Sequence, residues 1–121
     1  MATKVLVVED DPGTARFFSF ALESEGYEVI TAVNGLAGLK KAQAEIPDLM
    51  ILDVMLPGLD GFEVCHRLRS DAKTADIPIL MISAKAQDVD REMGLKVGAN
   101  QFLTKPIGFE DFVAAVKGML T

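Results

Sequence analysis

VLVVEDDP, residues 5–12, runs four apolar residues straight into three carboxylates and a proline. The apolar run reads as a short strand buried on both faces. Asp11 suits a helix N-cap and Pro12 the first helical position, so a helix should open at once and stop near Gly26. Three like charges at the end of a buried strand are unfavourable unless something cationic lies near. The stretch therefore sets two questions, which fold repeats this strand-to-helix step and what cation its acids meet.

The step does repeat. DLMILD (48–53) and IPILMIS (77–83) are further apolar runs bounded by turn residues, and YEVITA (27–32) and NQFLT (100–104) are two more candidate strands. Between them lie helical patterns. Asn34 can cap a second helix that ends before Pro47, since the residue ahead of a proline avoids helical geometry. Gly61 to about Ser70 gives a third, and Asp88 is expected to cap a fourth that ends near Gly98. In the last segment Phe109, Phe112, Val113, Val116 and Leu120 fall at helical spacing on one face. The product is βαβαβαβαβα, which implies an α/β fold with a five-stranded parallel sheet covered by helices on both sides.

Composition bounds the function. The chain has 121 residues, half of them apolar, enough for one core, so residues 1–121 are expected to form a single domain. A net charge of −6 offers no basic surplus for phosphate backbones, so no direct nucleic-acid binding is expected. The single cysteine, Cys65, precludes an internal disulfide and fits a reducing cytoplasm. The apolar run after MATK is too short for a signal-peptide core or a membrane span, so a cytoplasmic protein without membrane contact is the expectation.

In a parallel sheet of this kind ligands bind beyond the carboxyl ends of the strands. Glu9 and Asp10 follow the first strand, Asp53 ends the third, Ser83 ends the fourth and Lys105 follows the fifth. All would share one rim. Three acids without histidine or cysteine suit a hard cation such as Mg2+. A hydroxyl and an ammonium beside it are groups that hold a phosphoryl oxygen, and an aspartate among them can act as nucleophile and form an acyl phosphate. The opening carboxylates thus read as half of a magnesium site that Asp53 completes, serving phosphoryl transfer.

VLVVEDDP, DVMLPGLDG (53–61), MISA (81–84) and FLTKP (102–106), in that order and at those separations, closely resemble the receiver domain of bacterial two-component response regulators. The resemblance runs from Val5 to the last helix. It implies a flavodoxin-like, doubly wound sheet of order 2-1-3-4-5 with five helices. It also implies that Asp53 accepts a phosphoryl group from a sensor histidine kinase or a histidine phosphotransfer protein. Asp10 would bond Mg2+ directly, Glu9 largely through water, and Met55 through its backbone carbonyl. Ser83 and Lys105 would meet the phosphoryl group, and the Lys105–Pro106 bond would be cis. Phe102 matches the aromatic switch residue that turns inward as the hydroxyl moves. The surface of the fourth helix, fifth strand and fifth helix would then be read by a downstream protein target. Met55 and Lys85, flanking the site, would tune the lifetime of the phosphate.

Plainer readings stand beside these. Asp11 is best read as a cap, Phe102 equally as a core aromatic, and Cys65 as a small buried hydrophobe. Nothing around His66 resembles a kinase histidine motif. An aspartyl-phosphate phosphohydrolase of the dehalogenase-like type is the alternative function, but it needs a second aspartate where this chain has Met55. A flavin carrier would want a phosphate-cradling loop where this chain has EDD. Receivers of the transcription-factor type often dimerise through acidic positions occupied here by Asn100 and Gln101 and a basic one near Ala115, which leaves Arg91 and Asp111 as candidates and the oligomeric state open. The chain ends just after its fifth helix, as a stand-alone receiver or one excised from a longer protein would.

Overall fold

A computed structural model of the protein describes residues 2–84 and 87–121. The elements alternate as the sequence predicts: β1 (Lys4–Val8), α1 (Pro12–Ser24), β2 (Glu28–Ala32), α2 (Gly35–Glu45), β3 (Leu49–Asp53), α3 (Gly61–Arg69), β4 (Ile79–Ser83), α4 (Asp88–Lys96), β5 (Gln101–Thr104) and α5 (Phe109–Leu120). The strands form one parallel sheet in the order β2-β1-β3-β4-β5.

The continuous apolar runs are explained by burial on both sides. Leu6, Val8, Met50, Leu52, Ile79 and Met81 point into one core layer with Leu39 and Ala42 of α2 and Val64, Cys65 and Leu68 of α3. Their alternates Val5, Val7, Leu49, Ile51, Leu80 and Ile82 point into the other, with Phe18, Ala21 and Leu22 of α1 and Phe112 and Val116 of α5. With a side-chain period of two, every apolar residue of the three central strands is core, so no polar alternation marks their apolar runs.

Caps set where the helices begin. Asp11 accepts from the Thr14 N–H at 2.8 Å, Asn34 from the Ala37 N–H at 2.8 Å and Asp60 from the Glu63 N–H at 2.9 Å. The expected cap of α4 needs correcting. Asp88 is its first helical residue, the cap position is Gln87, and no side-chain bond closes that end. At its other end α4 is gripped. The Arg69 guanidinium donates to the carbonyls of Gly98 (3.0 Å), Ala75 (2.9 Å) and Ile77 (2.7 Å) and to Asn100 Oδ1 (3.0 Å).

Two further details depart from the pattern. Ile46, which closes α2, has φ 43°, a left-handed conformation uncommon for a β-branched residue. Phe109 does not share the buried face of Phe112 and Val116. It is 39% exposed and meets Phe17 and Phe20 of α1, with ring centroids 6.3 and 6.4 Å away.

Candidate phosphoryl and metal site

Strand register builds the site. Val8 pairs with Leu52, Asp53 with Ile82, and Ser83 with Thr104. Glu9, Asp53, Ser83 and Lys105 therefore all stand within about a residue of the same level at the carboxyl edge. Backbone bonds continue the ladder past the strand ends, from Glu9 N–H to the Ala32 carbonyl (3.0 Å), Val54 N–H to the Ile82 carbonyl (3.0 Å) and Lys105 N–H to the Ser83 carbonyl (2.8 Å). Distant sequence segments thus meet because the strands are parallel and their register brings the carboxyl ends together.

The cation asked for by VLVVEDDP is present in the chain itself. Lys105 Nζ donates to Glu9 Oε1 at 2.6 Å and to Asp53 Oδ2 at 3.2 Å. Glu9 is 2% exposed and Asp53 4%, so the ammonium offsets two desolvated carboxylates. Glu9 is held at both oxygens, since the Asp11 N–H donates to Oε2 at 3.1 Å. Burial pushes the Glu9 carboxyl above its ordinary value, against the pull of the Lys105 and Asp11 bonds. For Lys105, burial works to lower the value, but the Glu9 bond and the charges of Asp53 and Glu9 outweigh it and hold the ammonium above its usual range.

One carboxylate oxygen from each of Glu9, Asp10 and Asp53 lies within 4.8 Å of the others. The donor chemistry suits magnesium, which takes oxygen ligands, uses few carboxylates and keeps several waters. Asp10 is exposed, so water has access. The Met55 N–H donates to Asp53 Oδ1 at 3.2 Å, while the Met55 side chain stands out in solvent, leaving backbone groups as its contribution. The cleft there, about 440 Å³, is lined by Asp10, Met55, Pro57 and Asp60 among others. Glu9, Asp10, Asp53, Met55, Ser83 and Lys105 thus stand on one rim, and Phe102 lies inside β5, off it. Lys85 lies outside the described residues.

Ser83 is fully buried at the last position of β4. The Lys105–Pro106 bond is cis. Phe102 is 3% exposed, its ring inside the domain, which fits both of its sequence readings. What the sequence did not reveal is how the ring is held. Arg91 covers it, with the guanidinium carbon 5.4 Å from the ring centroid and Nη1 donating to the Phe102 carbonyl at 2.9 Å. Beneath it α4 approaches so closely that a Cβ on Gly94 would stand 2.7 Å from Phe102 Cδ2. A glycine inside the helical pattern DREMGLK was the available signal for that approach. Arg91, a candidate for contacts between copies, is thus engaged within its own chain. Cys65 is buried, its Sγ 3.5 Å from the Val97 carbonyl, and burial raises its thiol, as befits an inert packing residue. His66 is exposed on α3, away from the rim.

Among the described residues no helix is long and apolar enough to cross a membrane. Residues 5–117 match the response regulator receiver domain family. The chain is 45% identical over 117 residues to the DNA-binding dual master transcriptional regulator RpaA of Synechocystis, covering 97% of this chain and 48% of that protein. It is 46% identical over 120 residues to the alkaline phosphatase synthesis transcriptional regulatory protein PhoP of Bacillus subtilis, covering 99% and 49%. The chain spans about half the length of these curated relatives. The chemotaxis protein CheY4 of Vibrio cholerae superposes with a TM-score of 0.93 at 33% identity, covering 99% of this chain and all of that one. With the sheet order, the acidic rim and a family match over nearly its whole length, the chain belongs to the receiver domains of two-component response regulators.

Proposed function

We propose that residues 1–121 act as one phosphoryl-accepting switch, with Asp53 as the acceptor. The observation that carries the reading is the Lys105 ammonium set between Glu9 Oε1 and Asp53 Oδ2 at the carboxyl edge of the sheet. A carboxylate oxygen of Asp53 attacks the phosphorus of a phosphohistidine, the P–N bond breaks, and the imidazole leaves with its electron pair while an acyl phosphate forms. The donor is a sensor histidine kinase or a histidine phosphotransfer protein. Water later attacks the same phosphorus and releases inorganic phosphate, so the chain undergoes self-phosphorylation and slow self-dephosphorylation rather than turning over a substrate.

Glu9, Asp10, Asp53 and the Met55 carbonyl are the groups that would hold Mg2+, which when bound offsets the negative charge gathered around the phosphorus. Lys105 neutralises Asp53 on its other side and is at hand for a phosphoryl oxygen. Ser83 donates its hydroxyl to another phosphoryl oxygen, and the state with that bond gains population. Phe102, one strand away, transmits the change to the α4–β5–α5 surface, where a downstream protein reads it. The cytoplasm is part of this proposal, and the single cysteine, Cys65, is compatible with its reducing conditions.

Incubation with a small acyl phosphate, with and without Mg2+, followed by intact-mass measurement, tests the assignment. One metal-dependent phosphoryl adduct is expected, absent in Asp53→Asn. Labelling that persists in that variant, or proceeds equally in EDTA, would remove it.

A further inference from the structure

We infer that Gly35, at the first turn of α2, is a positioning residue for the loop between Asp53 and Gly61 and so for the chain's affinity for magnesium. The inference rests on the metal reading given above. The loop is pinned at both ends. Val54 N–H bonds the Ile82 carbonyl, Leu56 N–H the Val54 carbonyl at 3.1 Å, and Gly61 N–H the same Val54 carbonyl at 2.9 Å. Its middle is not. Among the described residues, Pro57, Gly58 and Leu59 make no backbone-to-backbone hydrogen bond outside the helices and strands.

What seats that middle is packing against α2. A Cβ on Gly35 would stand 1.9 Å from the Leu59 carbonyl oxygen, 2.9 Å from its carbon and 3.0 Å from Leu59 Cβ. Two of these are backbone atoms, for which no change of rotamer gives relief. Nor can α2 back away easily. Asn34 caps it, Gly38 approaches Val8 so closely that a Cβ there would stand 2.8 Å from the γ-methyls, and Ala42 is fully buried. A side chain at position 35 therefore moves the loop.

The displacement has a short route to the metal groups. Asp60, next to Leu59, caps α3. Gly61 follows, where a Cβ would meet the Asp53 carbonyl oxygen at 2.3 Å and Val54 Cα at 2.8 Å. Met55 lies in the same span and its N–H orients the Asp53 carboxylate. Two helix starts, Gly35 and Gly61, thus bound one seven-residue stretch, each by close approach to its backbone. α2 lies outside the proposed output surface, and this contact gives it a part in the chemistry.

The test is a magnesium titration of the phosphate-free chain, followed by amide chemical shifts. Gly35→Ala is expected to weaken magnesium binding by about tenfold, the range found when groups supporting a ligand are altered, with the largest shift changes at Asp53 and Met55. Leu22→Ala, which opens a cavity in the other core layer, away from the loop, is the comparison. It should lose thermal stability and keep its magnesium affinity. Should Gly35→Ala fail to fold, Leu59→Gly, which removes the side chain whose Cβ faces Gly35, is expected to weaken binding in its place. An unchanged affinity in the position-35 variant, or an equal loss in Leu22→Ala, would overturn the role. If the parent chain binds no magnesium at all, the metal reading fails first and this role with it.

Discussion

Replacing Gly94 by alanine tests whether α4 and Phe102 are as closely fitted as the distances say. On an open helix the change would stabilise by about 1 kcal/mol, because alanine is the better helix former. Here the new methyl would stand 2.7 Å from Phe102 Cδ2 and 3.0 Å from Met81 Sδ. Forcing extra volume into a packed interior costs about 1–3 kcal/mol. The ring has an escape, outward from the core, and that route is bounded by the roughly 1.5–3 kcal/mol of leaving a phenylalanine unburied. Since Phe102 is 3% exposed, that bound applies nearly in full, and leaving also breaks up the Arg91 contact over the ring. After the helix gain, a net loss of up to about 2 kcal/mol remains. For 121 residues the unfolding entropy is about 0.25 kcal/mol per kelvin, which converts this to a fall in Tm of up to about 8 °C. Thermal unfolding by circular dichroism measures the first quantity. Fluorine NMR of fluorophenylalanine-labelled protein, with the resonance of residue 102 assigned by substitution, measures ring exposure. A variant that unfolds at or above the parent's Tm with its ring still shielded from solvent would refute the reasoning.

Arg69→Met keeps the side-chain stem and removes the four hydrogen bonds to Gly98, Ala75, Ile77 and Asn100. A loss of about 2–4 kcal/mol is expected, since partly buried carbonyls lose a charged donor, and a urea midpoint equal to the parent's would count against it. Bonds from the Thr14 hydroxyl and backbone N–H hold the Asp11 carboxyl below its ordinary 3.8. A depressed acid contributes stability that is full above the unfolded value and is lost as pH falls through the lower folded one. The Tm difference between parent and Asp11→Asn should therefore shrink on acidification below 3.8. A difference that stays constant through that range would show that the charge plays no part in the cap.

The sheet was legible in the sequence because burial on both faces leaves each central strand as an unbroken apolar run, as in VLVV and ILMIS. Asp11, Asn34 and Asp60 are short polar side chains placed where a helix needs an acceptor, and the first two announce their helices from sequence. Gln87 does not, because the cap of α4 uses no side chain and the nearby Asp88 imitates one. Phe109 fits the helical period of α5 but sits at its first turn, beyond the cover of the sheet, where α1 meets it instead. The rim was legible because parallel strands all run the same way and so bring their carboxyl ends to one edge, which converts position at a strand end into position in space. The supports of the rim were not. Gly35 and Gly61 matter through atoms they lack, and Arg91 and Arg69 act on carbonyls, groups every residue carries. Such contacts leave no pattern of side-chain types to read.

The two ends of α4 are unequally fastened, and this fixes how that helix can travel. Its trailing end is tied through the Gly98 carbonyl to Arg69, and through the same guanidinium to the entrance of β4, and Arg91 ties its middle to the Phe102 carbonyl, whereas its cap position, Gln87, makes no side-chain cap bond. A rod held along one half does not slide but swings, and its sweep is widest at the other tip. That tip follows directly after Ser83 and the segment beyond it, so a small rearrangement beside the proposed phosphoryl pocket acts at the long arm of a lever whose fulcrum lies at the opposite edge of the sheet.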